Sequence, residues 1–176
     1  MELWKALVEH ELTKMSAGGD KWEYVNTITF TEDGRFAMIN TDADGNPFEL
    51  KKFAMFGRNA PSSLTTVSAG TVYVLGTLLP DIVFEENAEY NICSNGALSS
   101  SLVQYWGAYY EVKIIEEGLK DGGKMVIIDG MKSPLNHTLT DVPEDSRGFR
   151  SLGVFTSTAK AYFGAGSVID IYGVKA

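Results

Sequence analysis

From Leu102 to Glu117 the chain alternates in character. Leu102, Trp106, Ala108, Tyr110, Val112 and Ile114 take even positions, interrupted only by Gln104, and Val103, Tyr105, Tyr109, Glu111 and Lys113 take odd ones. Successive side chains of a strand point to opposite faces, so this pattern predicts one apolar face and one aromatic, charged face. A helix would scatter Trp106, Tyr109, Tyr110 and Glu111 around its cylinder, and the β-branched and aromatic content also favours a strand. The stretch is expected to be a long central strand of an antiparallel sheet, its even face in the core and its odd face partly solvated.

The other patterned stretches fit around it. Met1 to Met15 is the one helical pattern, with Leu3, Trp4, Leu7, Val8, Leu12 and Met15 at spacings of three and four, and Ser16-Ala17-Gly18-Gly19 ends it. A helix this short is marginal alone, so its stripe needs a surface: its own domain, copies of itself or a larger assembly. Strands are predicted over Trp22 to Phe30, Arg35 to Asn40, Phe48 to Phe56, Thr71 to Leu79, Ile82 to Phe84, Ala88 to Cys93, Lys124 to Asp129, Gly148 to Phe155 and Ser167 to Val174. Asp33-Gly34 is a hairpin signal between the first two. Ser94 to Ser101 reads as a polar turn, and Gly130 to Arg147 has no period and reads as a long loop of functional, interfacial or disordered kind. Eight to ten strands without helix–strand alternation predict an all-β, antiparallel, jelly-roll-like β-sandwich with a short N-terminal α-helix. The expected division is residues 1–20 for the helix and 21–176 for the sandwich.

Charge and composition narrow the function. With 176 residues the chain suits one domain with a substantial core. The net charge is −8, and Lys and Arg cluster no further than pairs such as Lys51-Lys52, which argues against nucleic acid as a partner. No apolar run approaches the ~20 residues of a membrane span, so no membrane insertion is expected. The first residues lack the basic flank and apolar stretch of a signal peptide. Cys93, the single cysteine, allows no intrachain disulfide and reads as a small buried hydrophobe.

Catalytic chemistry finds little support. Asn40-x-Asp42-x-Asp44-Gly45 starts like a calcium loop, but Lys51 stands where that loop needs a bidentate Glu, so a plain Asp-Gly turn is the better reading. His10 and His137 lie on unrelated elements, and no spacing suggests a zinc site. Glu85-Glu86, Glu116-Glu117 and Glu144-Asp145 are adjacent pairs, whereas glycosidase carboxylates must face each other across a bond. Gly164-Ala165-Gly166 lacks the third glycine of a phosphate loop and precedes a strand. The chain is read as no enzyme, with no cofactor and no metal. Tyr105 and Tyr109, two pleats apart on the odd face with Glu111 beyond, offer the more specific signal. Flat aromatic surfaces beside polar groups suit sugar rings, and burial against a sheet, subunit or helix is the competing explanation.

Trp22-Glu23-Tyr24-Val25-Asn26-Thr27-Ile28-Thr29-Phe30, followed by Asp42-Ala43-Asp44-Gly45-Asn46-Pro47-Phe48-Glu49-Leu50-Lys51-Lys52, resembles the opening of β-sandwich modules in fibre and structural proteins of bacteriophages and prophages of gut bacteria. The close from Phe163 to Ala176 is similar to the way such modules end. The resemblance spans Lys21 to Ala176 and carries no catalytic signature. It implies a virion component: a head fibre, a capsid-decorating protein or a tail-fibre tip, commonly trimeric and held on other virion proteins. A single short helix in place of a long coiled-coil shaft points to a small protein anchored through Leu3, Trp4, Leu7, Val8, Leu12 and Met15. Contact with a host-surface glycan through Tyr105, Tyr109 and Glu111 is the accompanying expectation. A monomeric cellular carbohydrate-binding module is the alternative, and an enzyme acting on glycans would need facing carboxylates that the sequence does not reveal.

Overall fold

The structure of the chain is a computed structural model describing residues 2–16, 18–64, 70–78, 80, 91–98, 103–115, 124–130, 135–139, 145–156 and 161–176. Among the described residues one helix, α1 (Glu2–Ser16), precedes ten strands: β1 (Glu23–Thr29), β2 (Phe36–Ile39), β3 (Leu50–Asn59), β4 (Gly70–Thr77), β5 (Asn91–Leu98), β6 (Gln104–Ile115), β7 (Lys124–Gly130), β8 (Leu135–Leu139), β9 (Ser151–Thr156) and β10 (Val168–Lys175). They form a six-stranded sheet, β1-β10-β3-β6-β7-β8, and a four-stranded sheet, β2-β9-β4-β5. Every pairing is antiparallel, and the fold is an all-β sandwich.

The pairing is nested. β1 pairs with β10, β2 with β9, β3 with β6, and β4 with β5. Two further pairings, β10 with β3 and β9 with β4, stitch the nested pairs into the two sheets. β7 and β8 extend the larger sheet beyond β6.

The expected central strand is β6, bonded on both edges by β3 and β7. Its even face enters the core, where Ala108 and Tyr110 are buried and Trp106 packs against the same cluster. Phe53 and Met55 of β3 and Ile169 and Ile171 of β10 meet Val72, Val74, Leu152 and Val154 from the other sheet. Phe53 packs edge-on against Phe149 at 5.0 Å, a geometry aromatic rings prefer, and tilted by 36° against Tyr110 at 5.4 Å. Gly57 is required here: a Cβ would fall 2.1 Å from the Trp106 indole, whose N–H donates to the buried Asn59 amide oxygen at 3.0 Å.

Three local expectations are corrected. Asp33-Gly34 does not make a hairpin, because β1 and β2 lie in different sheets. Phe30 stacks on Phe163 at 4.7 Å, Gly34 pairs with the Phe163 backbone, and the chain crosses the sandwich there. The Asp33 carboxylate ties the crossing down, accepting from the Ala165 N–H at 2.8 Å and the Ser62 hydroxyl at 2.9 Å. These bonds, the Ala165 N–H first, hold its pKa below the usual carboxylate value. Ser94 to Leu98 is strand rather than turn. β5 is an edge strand with register breaks against β4, a position that tolerates short polar residues. The supposed long loop contains β8, a short edge strand whose backbone pairs with β7 from Ile128↔Leu135 to Lys124↔Leu139. The expected strand at Ile82 to Phe84 lies outside the described residues.

Leu152 is fully buried between the sheets. Leu152→Ala should therefore cost about 2–5 kcal/mol in urea unfolding. A loss below about 1 kcal/mol would mean that the two sheets do not pack at that point.

Candidate functional site

The odd face of β6 looks away from the sandwich core, as its alternation requires. In register with β3, Tyr105 stands beside Arg58, Gly107 beside Phe56, Tyr109 beside Ala54, and Glu111 beside Lys52. α1 lies over this outer face. Val8, 3% exposed, is buried with Ala54 and Phe56, and Leu12, Trp22 and Tyr172 pack against them. Leu7, one residue from Val8, is 52% exposed at the edge of the helix–sheet contact. Val8 is thus occupied by the chain's own sheet and withdrawn from the set expected to hold partners, and Leu12 is partly so. The side chains of Leu3, Trp4 and Met15 lie outside the described residues.

Between helix and sheet runs an apolar groove of about 370 Å³, lined by Leu7 and Glu11 of α1, Phe56 of β3, and Tyr105, Gly107 and Tyr109 of β6 among others. The Tyr109 ring rests against Trp22 at 5.8 Å, and Tyr105 is 54% exposed at the rim. Trp22 Nε1 is buried without a hydrogen-bond partner, a cost accepted where the indole plugs the apolar contact between helix and sheet. The structure therefore brings Tyr105 and Tyr109 to one groove but separates Glu111 from it.

Glu111 belongs to an ion cluster below the helix. Lys52 Nζ lies 2.6 Å from Asp20 and 3.8 Å from Glu111, and Lys51 Nζ lies 3.2 Å from Asp20. Asp20 follows the turn that ends α1, where the Gly19 N–H donates to the Ser16 carbonyl at 3.0 Å. The cluster thereby ties the end of the helix to β3. Hydrogen bonds from Lys52 and then Lys51 hold the Asp20 carboxyl below its ordinary pKa, and the bond to Asp20 pushes Lys52 up.

Several of the remaining sequence candidates have structural jobs, while Glu85-Glu86, Glu116-Glu117, Glu144 and the side chain of Cys93 lie outside the described residues. Asp42 Oδ1 accepts the backbone N–H groups of Asp44 and Asn46, both at 2.9 Å, and Gly45 sits at φ 85°: an Asx-type turn. Asp145 and Glu49 flank Arg150 at 3.3 and 3.1 Å. Ala165 and Gly166 form a tight turn against Asp33. His10 is exposed on α1; His137 lies on β8, with its side chain outside the described residues. Among the described residues no three His, Cys, Asp or Glu side chains gather as a metal site.

Gly107 and Glu11 escaped the sequence reading, and Leu7 was expected as an anchoring position and not as groove lining. A glycine inside an alternating aromatic strand was the available signal, since strand glycines often mark a close approach or an opening. Compared with known protein families, curated proteins and solved structures, the chain matches none of them.

The Asp20 cluster sets a pH dependence. The folded pKa lies below the ordinary value of 3.8, so its stabilisation is complete above that value and disappears as pH falls through the lower folded pKa. Thermal melts from pH 2 to 7 should show Asp20→Asn less stable than wild type above about pH 4, with the two converging in acid. Parallel melting curves across the range would show that the cluster does not hold the helix.

Proposed function

We propose that the protein is a non-enzymatic structural component of a bacteriophage particle: a head fibre, a capsid-decoration protein or a tail-fibre tip. In this reading it is a trimer in the virion that docks on other capsid or tail proteins. The observation that carries it is the nested pairing of first strand with last, second with ninth, third with sixth and fourth with fifth. We read this as the wound hairpin of a jelly roll, with β7 and β8 added to one sheet. Jelly rolls recur in viral capsid and lectin domains. A fold alone hosts many functions. The resemblance of Lys21 to Ala176 to phage modules turns this one towards the virion.

The helix also offers an exposed apolar position for assembly. Val8 binds the sheet while Leu7 stays half-exposed, so Leu7 is the described apolar position that a neighbouring subunit would cover. Its loss on assembly would remove an apolar side chain from water.

A second reading, a cellular carbohydrate-binding module, is favoured by Tyr105. Its ring is 54% exposed, and Arg58 is its cross-strand neighbour. An open aromatic face beside a donor suits the stacking of one sugar ring. In the virion reading the same ring would meet a host-surface glycan.

Light scattering on a sizing column should give a mass three times that of the 19.2 kDa chain. Leu7→Asp should return it to a monomer that still melts cooperatively. A monomeric wild type would overturn the trimeric virion reading in favour of the free-standing module. On a glycan array, any retention by the wild type should vanish in the Tyr105→Ala, Tyr109→Ala double variant; unchanged retention would remove both rings from the site.

A further inference from the structure

We propose that the groove between α1 and β6 is a binding slot for a small organic cation, a flat apolar body carrying one ammonium group. The inference goes beyond the virion reading and does not depend on it.

It begins with Gly107. This residue sits inside β6, on the same face as Tyr105 and Tyr109 and midway between them. Glycine within a strand is destabilising relative to alanine, so its presence needs a cause. Two ordinary causes fail here. Gly107 is not among the described glycines with positive φ, and a Cβ built on it would meet nothing nearer than 3.8 Å, an ordinary contact. Gly57, by contrast, has no room at all. What Gly107 does is leave the floor of the groove open between two tyrosines.

The volume, about 370 Å³, falls in the range of small-molecule sites. Leu7, Phe56 and the tyrosine rings present apolar surface, against which the hydroxyls of a buried sugar would go unmatched. A sugar therefore fits the exposed Tyr105 rim and not the slot. An apolar ring fits the slot itself.

Charge fixes the other end of the ligand. Glu11 is the carboxylate among the described lining residues, and aromatic faces attract cations. The chain as a whole carries −8. Glu11 is paired with Lys14 at 3.2 Å, but both side chains are more than half exposed, and such pairs are weak. A ligand ammonium can displace that lysine. On the sheet, Arg58 beside Tyr105 and Asp170 beside Phe56 oppose each other in sign. Asp170 already accepts from the Thr27 hydroxyl at 2.7 Å.

Calorimetric titration of the full chain with phenethylamine, 2-phenylethanol and 3-phenylpropionate tests this, since the three share a ring and differ in charge. The amine should bind at least tenfold more tightly than the alcohol, and the acid more weakly still. Glu11→Gln should bring the amine to the level of the alcohol. Gly107→Leu should fill the slot and abolish binding. Gly107→Ala, the smaller change, should weaken binding and melt at or above the wild-type temperature. Binding by none of the three probes, equal binding by all, or unchanged affinity in the Gly107 variants would overturn the proposal. So would a lowered melting temperature for Gly107→Ala, because the glycine would then serve the fold.

Discussion

β3 is bonded along both edges and covered on both faces, and the rest of the molecule is arranged around that requirement. Its run Phe53-Ala54-Met55-Phe56 is apolar without alternation. Phe53 and Met55 point into the sandwich, whereas Ala54 and Phe56 point to the opposite side and join a second, smaller cluster. A sheet with one solvated face would expose that second pair. α1 removes the exposure by laying Val8 and Leu12 across it, with Trp22 and Tyr172 closing the flank. The helix is therefore the third layer of a sandwich whose central strand is apolar on both sides.

This explains why some features were legible in the sequence and others were not. The two faces of β6 could be read directly, because alternation is a property of the backbone and needs no knowledge of partners. The helix could be read from its period, but which of its residues meets the sheet could not. Leu7 and Val8 are adjacent and equally apolar, and only the docking angle separates an exposed side chain from a buried one. Asp33-Gly34 misled because local turn chemistry is silent about whether the flanking strands share a sheet. The stacking of Phe30 on Phe163, some hundred and thirty positions apart, decided that instead. β8 and the second half of β5 were missed since edge strands carry weak patterns.

Tyr105, Tyr109 and Glu111 share one face, as the period of two demanded, yet they do different things. Cross-strand neighbours made the difference. Opposite Lys52, Glu111 is drawn into the ion cluster with Asp20, while opposite Arg58 and Ala54 the tyrosines remain to line the groove. A lone strand lists its side chains; the adjacent strand assigns their partners. The groove exists because three elements distant in sequence, α1, β3 and β6, meet over a glycine.

Nested pairing also governs how the chain reaches this state. β10 lies between β1 and β3, so the edge strand β1 stays separated from the rest of the larger sheet until the tenth strand arrives. The contact Glu23↔Gly173 closes nearly the whole chain into one loop. Such long closures place the molecule among slow-folding, high-contact-order topologies. The inner pair β4·β5 can form early, but β3 waits with one edge unsatisfied. During that interval an exposed apolar strand edge is open to pairing with another chain, so yield on refolding should be limited by concentration before it is limited by stability.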